Sequence, residues 1–385
     1  MVIYITSLER REARYIRRCQ KREKKRNEYN KKYDDINVVT DINHIIKSGY
    51  LSRNGVNKKA SVQKYMMNMM RNSIQSRNNI INGKDIRQGF IEFDLHERGK
   101  ARHIRAMHVK ERVIQRCVCD YSLIPILKRS LVYDNGASLK EKGIHFTLFR
   151  LRDMLRKYIR KHGTEGYILL IDFSKYFDNI DHAHVKTILN SVYSDSKLLD
   201  LVWKFVESFG DKSIGIGSQV SQMIAISYPN RIDHRVKEYH KIGLSARYMD
   251  DTYIISSSKK ELETIFEDFK KMCDSLSIKV NESKSRIYPI KRFTFMKVRF
   301  RITSKGRVIM LPCKASFSRM RRKLRSFSKL VLSGTMTLNQ VNCSYQSWYG
   351  FQNHFNSHMA LRKMDKFYFD LFGVYPMHKK RSVAA

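Results

Sequence analysis

The feature that most constrains this chain is a pair of strand-like segments that end in acids. Tyr167-Ile168-Leu169-Leu170-Ile171 is a continuous apolar run closed by Asp172, and Asp250-Asp251 lie between ARYM and TYII. A short apolar run without alternation reads as a strand buried on both faces. SARYMDDTYIIS reads as two short strands around a two-Asp turn. If these strands are neighbours in one sheet, three carboxylates converge at its end. Each half alone is weakly specific: a strand-ending Asp usually begins a turn or caps the next helix, and acidic pairs are common in turns. The order is more specific, because a Gly-containing helix start, SIGIGSQVSQ, lies between the halves. Phosphoryl transfer to a 3′-hydroxyl needs two metal ions roughly 3.5–4 Å apart. Magnesium takes oxygen ligands and keeps several waters, so two or three carboxylates on rigid backbone suffice.

Charge narrows the partner. The 385 residues carry 75 Lys+Arg against 36 Asp+Glu, a formal net charge of +39. Self-repulsion on that scale opposes a compact state unless a polyanion is bound, and a nucleic-acid backbone is the natural one. No apolar run approaches the ~20 residues of a spanning helix, and MVIYIT lacks the parts of a signal peptide. No membrane association and a cytoplasmic location are expected. Cys19, Cys117, Cys119, Cys273, Cys313 and Cys343 form no CxxC pair and no zinc spacing, so they read as reduced thiols. With 42% hydrophobic residues, 5 prolines and no repeat or linker, two or three continuous sub-domains are expected.

Residues 1–34 read as one exposed basic helix that contacts phosphates. Residues 88–107 alternate around Arg98-Gly99-Lys100, a hairpin signal, and a basic hairpin beside a phosphoryl-transfer site suits a triphosphate and a nucleic-acid strand. KERVIQRCVCDYSLIPILKRSL has helical spacing, DNGASLKEKGIH reads as a loop, and residues 145–163 as another helix. Helices are predicted at 182–192 and 196–209, one long helix from the Gly-containing turn through MIAISYPNRIDHRVKEYHK, and an amphipathic helix over ELETIFEDFKKMCDSLS. FTFMKVRFRITSKGRVIML reads as two strands. KASFSRMRRKLRSFSK carries seven basic residues and no acid; with Leu324, Phe327, Leu330 and Val331 on one face it reads as a helix, apolar inside and basic outside. The remainder reads as helical and rich in aromatics.

These motifs resemble those of reverse transcriptases. IDFSKYFDNIDH at 171–182 resembles their first catalytic motif, and Tyr248-Met249-Asp250-Asp251 matches their YxDD signature. LSIKVNESKSR at 276–286 resembles the following motif with its lysine, here Lys284. FTFMKVRF at 293–300 resembles the primer-gripping hairpin, with Lys297 in place of the usual Gly, and RHIRAMHVKERVIQR at 102–116 the fingers segment. The likeness spans about residue 85 to about 370. It implies an α+β right-hand polymerase with fingers, a palm built on an antiparallel sheet and a helical thumb. The implied domains are 1–84 (basic helical extension and start of fingers), 85–165 (fingers), 166–305 (palm, with a helical insertion at 182–212) and 306–385 (basic thumb). It implies RNA-directed DNA synthesis with two Mg²⁺ ions, Mn²⁺ as a substitute, held by Asp172, Asp250, Asp251 and the backbone carbonyl of Phe173. Phe177 stands where the family places an aromatic gate beneath the sugar, and a bulky ring there leaves no room for a 2′-hydroxyl. Lys284 is placed to protonate pyrophosphate. Arg102, Arg105, Lys110, Arg112, Ile216 and Gly217 are nucleotide-side candidates; Tyr248, Met249, Lys297, Arg319, Arg321 and Arg322 are primer–template candidates.

One departure stands out. Relatives carry Pro-Gln-Gly where this chain has Gly215-Ile216-Gly217, and I-G-x-x-x-S-Q over 216–222 looks more like diversity-generating and defence-associated bacterial enzymes. Ile216 cannot make the hydrogen bonds of a Gln, so relaxed base selection is expected. No ribonuclease H, endonuclease, protease or integrase set accompanies the polymerase motifs, so a stand-alone enzyme is expected, with an anti-phage or diversity-generating role. Its expected partners are a structured non-coding RNA template, the cDNA product and dNTPs, with a second copy or accessory protein open. Two competitors are an RNA-dependent RNA polymerase, which Phe177 opposes, and an idle RNA-binding scaffold, which the full carboxylate set opposes.

Overall fold

The computed structural model describes residues 7–97 and 100–378. It opens with the expected basic helix, α1 (Ser7–Lys31). Arg129 donates to the Lys25 carbonyl (3.3 Å) and lies over the Tyr29 ring (4.3 Å), so the C-terminal end of α1 is docked. Four helices follow, none of them delimited by the sequence pattern: α2 (Ile36–Thr40), α3 (Ile42–Ser52), α4 (Ala60–Met67) and α5 (Met69–Ile81). The first two begin at aspartates: Asp35 accepts from the Asn37 amide, and Asp41 from the amides of Asn43 and His44. The hairpin arm is β1 (Phe90–Glu97) and β2 (Lys100–Met107), paired from Phe90↔Met107 to Glu97↔Lys100.

The apolar stretch after the arm forms α6 (Val109–Val118), a π-helical turn at Cys119–Leu123 and α7 (Ile124–Lys128), then α8 (Ile144–His162). In α8 the residues Leu148, Leu151, Leu155 and Tyr158 are buried, the spacing of one helix face. β3 (Tyr167–Asp172) leads to α9 (His182–Asn190), α10 (Ser196–Glu207), α11 (Gln219–Ser227) and α12 (Asn230–His234), the last followed by a π-helical turn at Arg235–Tyr239. The single long helix expected here is broken, because Pro229 cannot donate to the helical ladder and clashes with the preceding turn.

β4 (Ser245–Tyr248), β5 (Asp251–Ser256), α13 (Lys259–Ser275) and β6 (Arg286–Pro289) complete a four-stranded antiparallel sheet of order β4-β5-β3-β6. A second sheet holds β7 (Arg292–Phe295), β8 (Val298–Ile302) and β9 (Val308–Pro312), three strands where two were expected. The extra break falls at Met296-Lys297, both at positive φ (46° and 65°) without the Gly or Asn that marks such turns. The helices α14 (Lys314–Leu332), α15 (Leu338–Gln352) and α16 (His358–Phe372) close the chain around Leu324, Val341, Tyr345 and Met364. Phe327 and Val331 pack on that cluster, whereas Leu330, expected on the same face, is exposed.

The central sheet is covered on both faces. Leu169 and Ile171 of β3 face the largest core with α6, α11 and α13, while Ile168 and Leu170 face a second core with α8 and β7–β9. That is the physical reason the strand reads as an uninterrupted apolar run. Among the described residues no helix is long and apolar enough to cross a membrane. The described cysteines are all free thiols.

Candidate active site

Antiparallel pairing of β3 with β5 sets Asp172 opposite Asp251, and pairing of β4 with β5 sets Tyr248 opposite Asp251. The acidic pair is therefore split: Met249 and Asp250 form a two-residue turn, and Asp251 begins β5 rather than sharing the turn. Met249 has φ +54°, the positive φ that such hairpin turns require at their first position. The segment after α13 closes the site from the other side. The Asp172 carbonyl accepts from the Asn281 amide (2.7 Å). Its carboxylate accepts from Asn281 Nδ2 (3.1 Å) and Lys284 Nζ (2.8 Å), and its amide donates to Ser285 Oγ (3.1 Å). Asn281 and Ser285 lie in a motif the sequence reading quoted, yet only Lys284 had been singled out. Phe173 bridges Val280, and the flanking bonds (Ser174 amide to Lys279 carbonyl, Asn281 amide to Asp172 carbonyl) leave the Phe173 carbonyl unused by that pairing.

Burial, together with the charges of Asp250 and Asp172, pushes the Asp251 carboxyl up to about 7, partly offset by Lys284. The hydrogen bond to Asp172 raises the Lys284 pKa, and Asp172, Asp251 and Asp250 add to it. Burial and the charges of Asp250 and Asp251 raise the Tyr248 pKa. One ammonium thus stands amid three mutually repelling carboxylates. Among the described residues no set of three acids, histidines or cysteines is drawn to metal-ligating spacing around one point, and Asp172 is paired with the Lys284 ammonium. The donor chemistry still fits a hard divalent cation: all side-chain donors are carboxylate oxygens at strand ends, and a cation already sits among them.

Phe177 is half-buried, and its carbonyl accepts from the Ile214 amide (3.3 Å), which sets it beside the loop 214–217. Ile216 is 40% exposed on that loop. Gly217, at φ +125°, lies where a Cβ would come within 2.9 Å of the Arg105 carbonyl, so loop and arm touch through backbone. Ser218 caps α11 by accepting from the Ser221 amide and donates to Gln115 of α6 (3.0 Å). Arg105 pairs with Glu92 across the arm (3.3 Å), and Lys110 Nζ donates to Gln75 (2.9 Å). Burial holds the Arg112 guanidinium below its usual pKa, and its buried Nε has no hydrogen-bond partner. The Arg102 side chain lies outside the described residues. Lys297 stands at the β7–β8 turn and Arg319, Arg321 and Arg322 are exposed along α14; among the described hydrogen bonds and ion pairs none joins them to the carboxylates.

Sequence reasoning missed Arg247, the residue before Tyr248. It is 1% exposed, is paired with Asp233 and donates to the Met249 carbonyl (3.0 Å). The only signal was a charged residue inside a short strand next to the acids.

The sequence profile described as "Reverse transcriptase (RNA-dependent DNA polymerase)" matches residues 91–300. A comparison with curated proteins gives no match. Among solved structures the chain is similar to an apo telomerase of Candida tropicalis truncated from its C-terminal domain (12% identity, TM-score 0.44, 57% of this chain and 54% of that one). It is also similar to a Candida albicans telomerase in complex with the TWJ fragment of telomeric RNA (11% identity, TM-score 0.47, 76% and 56%). The chain spans a little over half the length of these two telomerase chains.

Proposed function

Because the chain belongs to the reverse transcriptase (RNA-dependent DNA polymerase) family and has its right-hand polymerase fold, we propose that it copies RNA into DNA at the end of the central sheet. The observation that carries this reading is the register that sets Asp172 opposite Asp251 beside the Met249-Asp250 turn, with Lys284 among the acids. Asp172, Asp250, Asp251 and the Phe173 carbonyl would hold divalent ions, two Mg²⁺ or Mn²⁺ in their place. When bound, such ions activate the primer hydroxyl and neutralise the leaving pyrophosphate. The chain's own groups do the rest. Arg105, Lys110, Arg112 and Arg102 meet the triphosphate and template; the unpartnered Nε of Arg112 is a donor held for an anion. Phe177 excludes the 2′-hydroxyl, Gly217 lets the backbone approach the nucleotide, and Lys284 gives its proton to pyrophosphate. Tyr248, Met249, Lys297, Arg319, Arg321 and Arg322 hold primer and template.

The domain limits proposed are those read from the sequence, with 166–305 as palm and 306–385 as thumb. The template is a structured non-coding RNA, which the charge of +39 favours. The I-G-x-x-x-S-Q pattern supports a bacterial defence-associated or diversity-generating role in the cytoplasm. The test is primer extension by purified protein on an RNA template with dNTPs and Mg²⁺. Activity that disappears in Asp250→Asn is expected; wild-type protein without extension on any RNA or DNA template, while still binding RNA, would overturn the reading in favour of a scaffold. Incorporation of NTPs as readily as dNTPs would remove Phe177 as a gate.

A further inference from the structure

A buried charge is costly unless it is paired and its remaining protons are hydrogen-bonded. Arg247 meets that condition in a way that leads to the active site. Its Nε donates to both Asp233 oxygens (3.0 and 3.1 Å), and Nη2 donates to Asp233 Oδ2 (2.7 Å) and to the Ile226 carbonyl (2.8 Å). Neutralising Asp233 would need nothing more. Yet Nη1 turns the other way, to the Met249 carbonyl (3.0 Å), the first residue of the acidic turn.

That carbonyl belongs to the peptide joining Met249 to Asp250. Rotation of this peptide is the simplest way for the Asp250 carboxylate to leave its place, and Met249, held at φ +54°, has a reason to relax. The arginine itself cannot follow such a motion. Its amide donates to the Asp134 carbonyl (3.3 Å) and its carbonyl accepts from the Gly136 amide (2.9 Å). The planar fork also joins the turn to α11, since Ile226 is near the end of the helix that begins after the Gly215-Ile216-Gly217 loop. The acids and the loop are thereby set in one frame.

We propose that Arg247 is a positioning residue that fixes the Met249–Asp250 peptide, and through it the acidic turn, against α11 and α12. This rests on the polymerase reading for its functional consequence, though not for its geometry. A lysine keeps the charge opposite Asp233, but a single ammonium cannot span Asp233, Ile226 and Met249 as a planar fork does.

The test compares Arg247→Lys with wild type and with Leu324→Ala, a core truncation at a fully buried site among the C-terminal helices. Three quantities are read: thermal midpoint, amide exchange over residues 248–252, and the Mg²⁺ concentration for half-maximal extension. For Arg247→Lys the expected results are exchange at the turn faster by tenfold or more and a several-fold higher Mg²⁺ midpoint. Its kcat should fall about 10–100-fold with KM for primer–template unchanged. Leu324→Ala is expected to lower the thermal midpoint and leave turn exchange and the Mg²⁺ midpoint as they are. If Arg247→Lys does not fold, Asp233→Asn/Arg247→Gln, which removes both buried charges together, is read in the same way. Turn exchange equal to wild type overturns the proposal whatever the activity. Faster turn exchange in a protein that never polymerises keeps Arg247 as the anchor of the turn and overturns the polymerase reading instead.

Discussion

The β4–β5 and β7–β8 hairpins are built alike and used differently. Each has a two-residue turn that begins with a methionine at positive φ, Met249 at 54° and Met296 at 46°. In β4–β5 the strained turn is held by a buried guanidinium and its second residue is an acid. In β7–β8 the turn ends in an exposed Lys297, also at positive φ (65°), whose carbonyl accepts a single bond from the Cys313 amide (3.3 Å). The difference teaches that the same backbone strain persists for two reasons. One turn is over-determined by its surroundings, as functional turns are. The other persists because the local cost is small enough to leave uncorrected.

The largest effect expected is chemical. Asp250→Asn should reduce extension on RNA on the order of a thousandfold or more, since a charge that acts in the transition state is lost. The thermal midpoint should not fall, because Asp251, pushed up to about 7 by burial and by the acids beside it, loses a repulsive neighbour. Gel-based extension and a melting curve on one preparation check both. A large loss of folding stability would show that the turn is held by its acid rather than by Arg247.

Next comes the ionic support. Arg247→Met leaves Asp233 buried without its partner, and the expected cost is about 3–5 kcal/mol in denaturant unfolding. A cost under about 1 kcal/mol would mean that the pair does not hold this hairpin to the core, and the contrast with β7–β8 would collapse.

Much of the β4–β5 side of this contrast was legible in the sequence, and its reason is physical. A strand buried on both faces must be continuously apolar, so Tyr167–Ile171 stood out, and Asp172 and Asp250-Asp251 were conspicuous because nothing apolar replaces them. Arg247 was not legible, because what makes it unusual is burial, and its partner Asp233 sits on a helix beyond the Pro229 break. Within the helical extension read over 1–84 the separate helices α2–α5 were not delimited, because residues 36–84 are rich in Asn and Ser, although the aspartate caps of α2 and α3 were there to be read and α4 and α5 have none. The β7–β8 turn was not legible in the strand pattern, because neither of its residues is a turn former, and only the likeness of FTFMKVRF to a primer-gripping hairpin implied it. Pairing of β3 with β5 was only a condition in the sequence and became a fact in the register.

Another buried ionisable group sharpens the comparison, because burial outweighs the support it receives from the Arg87 charge and from hydrogen bonds. Glu111 of α6 is 2% exposed, accepts from the Gln88 amide (3.4 Å), and is pushed up to about 7 from 4.5 by burial. The folded state therefore prefers the protonated form. Its contribution to stability is full below about pH 4.5 and is lost as pH rises through about 7. Glu111→Gln should then stabilise the protein by about 1–3 kcal/mol at pH 8 and far less at pH 5, read by denaturant unfolding at each pH. An equal gain at both would mean that the carboxyl keeps its ordinary pKa, and that burying a carboxylate without an ion pair is not costly in this fold.

The smallest effect bears most directly on the two turns. A non-glycine residue in the left-handed region costs roughly 1–2 kcal/mol, and a glycine placed there loses more freedom on folding, which offsets part of the gain. Lys297→Gly should therefore raise stability by up to about 1 kcal/mol. Met249→Gly relieves the same strain at the acidic turn, yet there the methionine restricts the turn that carries Asp250. Its stability should change by a similar small amount while extension falls about tenfold, because a looser turn places the acid less well. The pair of variants separates two meanings of strain. If Met249→Gly leaves extension at the wild-type level, the positive φ at Met249 is as incidental as that at Lys297, and Arg247 alone accounts for the order of the turn.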